Sequence, residues 1–177
     1  ERQWWREHRI EEFFPDTGPF RRELYRKHTD FFRAGAFHRS RTFLAGNRVG
    51  KSIAGSYEMS LHLTGRYPAW WNGKRFSKPI KAWAAGLTSV KGRDSLQMEL
   101  LGQIVRDPTG PKNQVLGLGT GMIPKECIVN TTPRQGISAA IDTAYIRHAS
   151  GGISVLHFKS YDQGTDAFSS ESIALIH

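Results

Sequence analysis

At 177 residues the chain can hold one compact domain with a real core and is too short for two ordinary ones. A composition 38% hydrophobic and 11% aromatic excludes a disordered or collagen-like chain, and a net charge of +9 points toward polyanionic partners. One cysteine, Cys127, excludes an internal disulfide and a cysteine-built zinc cluster, and there is no run of about 18 apolar residues to cross a membrane. The opening stretch "ERQWWREHRI" lacks the apolar core of a signal peptide, so a cytosolic protein is expected.

In chain order, Glu1 to Phe14 places Trp4, Trp5, His8 and Phe13 or Phe14 at helical spacing and stops at Pro15. A second amphipathic helix is expected from about Phe20 to Arg33, and a short buried strand at Thr42 to Ala45. A glycine-containing loop follows, then a helix from about Lys51 to Leu63 closed by Gly65, with Ile53, Tyr57 and Leu61 on its apolar face. "RYPAWWNGKRFSKPI" has turn-making Pro, Gly and Asn and reads as a connector. Lys81 to Leu87 is a strand candidate, and Thr88 or Ser89 can cap a helix running to about Val105. Asp107 to Gly121 is dense in Gly and Pro and reads as a loop. The β-branched segments 126–132, 140–149 and 154–161, and the apolar run "SIALIH" at 172–177, read as strands.

Strands alternate with helices in the first half, which predicts an α/β fold built on a mostly parallel sheet flanked by helices. The expected division is a helical N-terminal segment at 1–38 packed on a core at 39–177. The charge is uneven: from Arg21 to Arg93 there are sixteen Lys or Arg against Glu23, Asp30 and Glu58.

That basic half contains "FLAGNRVGKS". Ala45, then Gly46, Asn47, Arg48 and Val49, then Gly50-Lys51-Ser52 satisfy the phosphate-loop pattern of Gly or Ala, four free positions and Gly-Lys-Ser/Thr. Each position has a task. Successive backbone N–H groups curl into an anion-binding nest at a helix N-terminus, and Gly50 allows the backbone to approach the phosphates closely. Lys51 carries a compact positive charge to the β and γ phosphates of ATP, and the Ser52 hydroxyl is the Mg²⁺ ligand. Arg48 is the candidate to neutralise charge on the γ-phosphate from within the same chain; the alternative is a contact with solvent or a neighbouring carboxylate.

Beyond that motif, "FFRAGAF" (31–37), "LHLTGRYPAWWNGKRF" (61–76), "AWAAGLTS" (82–89), "GTGMIP" (119–124), "RHASGGIS" and "FKSYDQG" (147–164) give the chain an almost end-to-end resemblance. It resembles the ATPase part of the large terminase subunit of tailed bacteriophages. The resemblance implies a P-loop NTPase fold and a motor that couples ATP hydrolysis to translocation of double-stranded DNA into a capsid. It also implies portal protein and small terminase subunit as partners, a homo-oligomeric ring on the capsid, and work in the cytoplasm of an infected bacterial host.

Two departures bear on chemistry. Such motors carry an apolar strand ending in Asp-Glu, and here "SIALIH" is the apolar strand without the acids, so this chain is expected to grip nucleotide and hydrolyse it poorly. After "YDQG" the family pattern has a basic residue and another Gly, where this chain has Thr165, Asp166 and Ser169. Asp142, at the end of "ISAAID", is a rival Mg²⁺ carboxylate. No acid cluster suits a two-metal nuclease, and the seven His show no metal-ligand spacing.

Other features stay open at this level. Trp70 and Trp71 can pack beneath the connector, leaving Lys74, Arg75 and Lys78 as phosphate contacts on DNA. Arg21, Arg22, Arg26 and Lys27 form a basic helix face that is either solvated or a surface for DNA or a neighbouring subunit. Arg33, Phe37 and His38 are adenine-pocket candidates, and Cys127 reads as a buried small hydrophobe. The competing functions are another P-loop ATPase, helicase or kinase, and a non-hydrolysing basic nucleic-acid-binding module whose glycine turn is incidental.

Overall fold

The structure is a computed structural model and describes residues 8–106, 115–164, 168 and 173–176. Trp4 and Trp5, residues 107–114 of the loop, Thr165, Asp166, Ser169, Ser172 and His177 lie outside the described residues.

The first described element is a 3-10 turn, Arg9–Glu12, and a second, Arg22–Tyr25, leads into helix α1, Arg26–Ala34. The predicted second helix is therefore split. Its first turn is too tight for α geometry, and Arg26 enters the regular helix with φ −53° and ψ −42°.

Helix α2, Lys51–Thr64, runs through the centre of the molecule. An amphipathic helix was expected; instead every residue from Ala54 to Thr64 is buried. Met59 and Leu63 face one core, while Ala54, Tyr57 and Leu61 face another. Two of its buried hydroxyls are hydrogen-bonded, whereas Ser56 Oγ and Glu58 Oε1 are buried with no hydrogen bond to a described residue. Ser60 Oγ donates to the Met122 carbonyl at 2.9 Å, and Thr64 Oγ1 donates back to Ser60 at 2.7 Å. Gly65 ends the helix in the left-handed region (φ 69°), its N–H on Leu61 O. A Cβ there would come within 2.5 Å of the His148 ring, so both the dihedral and the space demand glycine.

The strands are β1 (Lys81–Gly86), β2 (Val105–Arg106), β3 (Val115–Leu116), β4 (Ile128–Pro133), β5 (Ile141–His148), β6 (Gly152–Ser160) and β7 (Leu175–Ile176). Five form one sheet in the order β4-β5-β6-β1-β7, and β2 pairs with β3 in a separate ribbon. The sheet is mixed, which corrects the expectation of a mostly parallel one. β1 runs parallel to β6 (Lys81↔Val155 to Gly86↔Ser160) and to β7, whereas β5 is antiparallel to both β4 and β6. The cause is the short turn after His148. Three residues, with Gly151 at φ 98°, cannot make the crossover that parallel neighbours need and can make a hairpin.

A second correction concerns Thr42 to Ala45, which forms no strand. "SIALIH" contributes only the two residues of β7 to the sheet. Thr88 does cap the next helix, accepting the Lys91 N–H at 3.2 Å, and α3 (Ser89–Gly92), a π-turn (Arg93–Gln97) and α4 (Met98–Leu101) follow. This stretch ends earlier than the expected Val105, because Gly102 (φ 100°, ψ 174°) leaves the helical region, and Thr120 Oγ1 and the Gly117 carbonyl occupy the space a side chain would need there.

Two apolar clusters meet on α2. One joins it to the sheet through Ala82, Ala84, Leu100, Ile146 and Leu156. The other is aromatic: Phe14, Phe32, Tyr57 and Trp71 are buried together with the N-terminal segment packed over them. Phe14 meets Phe32 edge-on at 5.4 Å, and Trp70 stacks parallel to Tyr57 at 6.3 Å. Trp71 is buried and its Nε1 donates to Lys74 O, so both tryptophans pack under the connector.

Candidate phosphate-binding loop

The candidate phosphate loop sits where α2 begins. Residues 47 and 48 form a turn and 49 and 50 a bend, with Arg48 (φ 61°) and Gly50 (φ 80°) both left-handed on either side of Val49. Alternation of this kind turns successive N–H groups toward one concave side. Gly50 is also the N-cap of α2, and its carbonyl accepts the Ala54 N–H at 2.9 Å, so the loop runs without a break into the most buried helix of the fold.

Lys51 folds back into the concavity. Its Nζ donates to the Ala45 carbonyl at 2.7 Å and also to the Gly46 carbonyl. An ammonium inside the loop is the charge an anion there would meet. Ser52 is exposed at the second helical position, and Gly46, Asn47 and Arg48 are exposed as well. No hydrogen bond or ion pair to another described residue restrains the Arg48 guanidinium.

A cavity of about 770 Å³ adjoins the loop, bounded among others by Phe31, Arg41, Phe43, Lys51, Ser52 and Glu58. Two of these residues carry a feature that pattern reading passed over. Arg41 Nη1 donates to Phe31 O at 2.6 Å, and the guanidinium lies 4.4 Å over the Phe31 ring. The same Nη1 stands 3.0 Å from Glu58 Oε1, an ion pair whose angle falls short of a hydrogen bond. Glu58 is buried on α2, and His62 Nε2 lies 3.5 Å from the same oxygen. His62 Nδ1 in turn meets Tyr67 OH at 2.9 Å, and burial pushes the Tyr67 phenol up to about 12. The chain entering the loop is thus tied to the helix leaving it by a buried charge pair. In the sequence, Glu58 was legible only as one of three acids in a basic half.

The other predicted residues scatter. Phe37 is 80% exposed and Arg33 pairs with Asp30 at 2.8 Å, so neither Arg33, Phe37 nor His38 borders the cavity. Asp142 lies on antiparallel β5 and accepts from Arg134 Nη2 at 3.2 Å and from Thr143 Oγ1 at 3.1 Å, which occupies it structurally. Lys74 and Lys78 are exposed, whereas Arg75 Nη2 donates to Trp71 O at 2.9 Å. Cys127 is buried, and burial raises its thiol above the usual range.

"FKSYDQG" and "AWAAGLTS" come together at the carboxyl ends of β6 and β1. Asp162 Oδ2 accepts the Ser89 N–H at 3.3 Å, and Ser89 Oγ meets Ser160 Oγ at 2.7 Å. The Ser160 hydroxyl, then the Ser89 amide, hold the Asp162 carboxyl below the usual range. Arg134 braces this knot, donating to Ser89 Oγ at 2.7 Å and Phe158 O at 2.6 Å.

Among the described residues no helix is long and apolar enough to cross a membrane, and no group of three or more His, Cys, Asp or Glu could hold a metal ion. No solved structure matches the chain. The family described as terminase large subunit, T4-like virus type, N-terminal, matches residues 42–177. The large terminase subunit of Salmonella phage P22 is 33% identical over 166 residues, covering 84% of this chain and 32% of that protein. The chain therefore spans about a third of that relative's length. The phosphate-loop sequence, the knot that joins "AWAAGLTS" to "FKSYDQG" and the match from residue 42 to residue 177 converge: the chain belongs to the terminase large subunit family.

Proposed function

We propose that this chain is the nucleotide-gripping part of a phage DNA-packaging ATPase with a P-loop NTPase fold. Its ligand is MgATP, bound by the loop from Ala45 to Ser52. The observation that carries the reading is the position of Lys51: its ammonium sits on the Ala45 and Gly46 carbonyls, inside a turn whose Arg48 and Gly50 dihedrals suit an anion nest. The donor set suits a triphosphate with its metal. Lys51 and the loop amides would hold the β and γ phosphates, the exposed Ser52 hydroxyl would hold Mg²⁺, and the unrestrained Arg48 would reach the γ-phosphate. When bound, ATP supplies the phosphoanhydride whose cleavage drives the motor.

Family membership supports the rest of the proposal: translocation of double-stranded DNA into a capsid by a ring of these subunits, docked on the portal and fed by the small terminase subunit, in the infected host's cytoplasm. The basic stretch from Arg21 to Arg93 is the electrostatic counterpart of the polyanion.

The test is a calorimetric titration of MgATP into the chain and into Lys51→Ala at matched salt, without DNA. Saturable binding that disappears in Lys51→Ala is expected. Equal binding by both proteins, or none by the unmodified chain, overturns the reading.

A further inference from the structure

Residues 39–49 make no backbone hydrogen bond to any other described residue. A segment with no ladder and no helix should be soft, yet a phosphate nest works only if its peptide planes are held in one orientation. What fixes them is a short set of side chains. Arg41 and the stacked pair Phe31–Phe43 (5.0 Å, 17°) hold the entry, and Lys51 holds the Ala45 and Gly46 carbonyls. The exit of the loop is held from a different part of the chain.

His28, on α1, places its Nε2 3.0 Å from the Val49 carbonyl oxygen. A carbonyl only accepts, so the imidazole donates, which puts the proton on Nε2. The ring is itself held in place, edge-on to Phe43 at 5.1 Å and to Tyr25 at 5.7 Å. Gly50 lies directly against it, since a Cβ there would come within 3.4 Å of the same nitrogen.

The consequence follows from peptide planarity. The Val49 C=O and the Gly50 N–H belong to one trans peptide unit and point in opposite directions. By capturing the carbonyl on the α1 side, His28 aims the Gly50 N–H to the other side, away from α1. Gly50 is the residue whose amide the nest offers at the start of α2. We infer that His28 is a positioning residue for the phosphate loop. It orients the Gly50 amide toward a bound phosphate and makes loop geometry depend on the docking of the N-terminal helical segment. This rests on the nucleotide reading above and adds to it a residue outside the motif, 21 positions before Val49.

The experiment is a titration of MgATP, at neutral pH and well below each protein's melting temperature, into the unmodified chain, His28→Leu and His28→Gln. His28→Leu removes the donor and is expected to weaken binding roughly three- to tenfold, the worth of one hydrogen bond. His28→Gln keeps an amide N–H at similar reach and is expected to recover the affinity to within about twofold. A role confined to packing would not be rescued in this way. Should His28→Leu fail to fold, His28→Met fills the space without a donor and carries the same expectation. Unchanged affinity in the donor-free variant, or a loss that His28→Gln does not recover, overturns the role of His28 and leaves the nucleotide reading standing. No binding by the unmodified chain overturns both.

Discussion

The candidate phosphate loop and helix α2 are adjacent in sequence and opposite in construction. From Ala54 to Thr64 the helix is buried on every side, its backbone closed by its own hydrogen bonds and its side chains divided between two apolar clusters. Residues 42–49 are largely exposed and make no backbone hydrogen bond to another described residue; Arg41, His28, Lys51 and the Phe31–Phe43 stack hold them. Core stability and loop geometry therefore reside in different groups of residues. A loop free of ladder bonds can close round an anion without disturbing a sheet, and a helix buried all round gives that closure a rigid base.

The largest expected effect tests the helix side. Leu156→Ala removes a fully buried side chain of β6 from the cluster beneath α2 and is expected to cost about 3 kcal/mol in chemical denaturation. MgATP affinity of the protein that remains folded should stay within about twofold. A large loss of affinity with Leu156→Ala would break the separation between the two regions.

Arg41 spans that separation, so its removal should register on both sides. Arg41→Ala leaves Glu58 buried with only His62 near its Oε1, at a cost of about 2 kcal/mol, moderated because the Arg41 side chain is 15% exposed. The entry to the loop also loses its anchor, and MgATP affinity should fall several-fold beyond what unfolding explains. Loss of stability with unchanged affinity would confine Arg41 to the core. Arg48→Ala is the converse case. Its exposed guanidinium has no partner among the described residues to lose, so melting should not move while MgATP affinity falls by about tenfold.

The smallest effect is on pH. His148 is buried against Gly65, and burial lowers its affinity for a proton. The unfolded chain then binds that proton more readily than the folded one, so this contribution is full above about pH 6.5 and is lost as pH falls through the depressed folded value. At Glu126 burial acts upward, but the Arg66 hydrogen bond at 2.6 Å and other contacts more than offset it, leaving the carboxyl below its usual range. Its share of stability is present above the ordinary carboxylate pKa and is lost in more acid solution. Denaturation midpoints should therefore decline in two stages below neutrality, and Glu126→Gln should flatten only the second. A midpoint insensitive to pH between neutrality and the carboxylate range would overturn the assignment for His148.

The sequence by itself determined the local chemistry. It placed the helix after the glycine-containing loop with Gly65 as its stop, strand β1 and the Thr88 cap, and it named Lys51 and Ser52 as phosphate-loop candidates, because each depends on residues a few positions apart. It also carried the family, since a string of motifs survives without knowledge of how they meet. Tertiary structure decided what depends on distant partners. The mixed sheet follows from a three-residue hairpin turn, and residues 42–45 form no strand because they make no backbone hydrogen bond to another described residue. Arg41 with Glu58, and His28 with Val49, are separated by 17 and 21 positions and follow no spacing rule. A residue that orients a backbone carbonyl from another helix has no sequence signature, because its contribution is a direction in space.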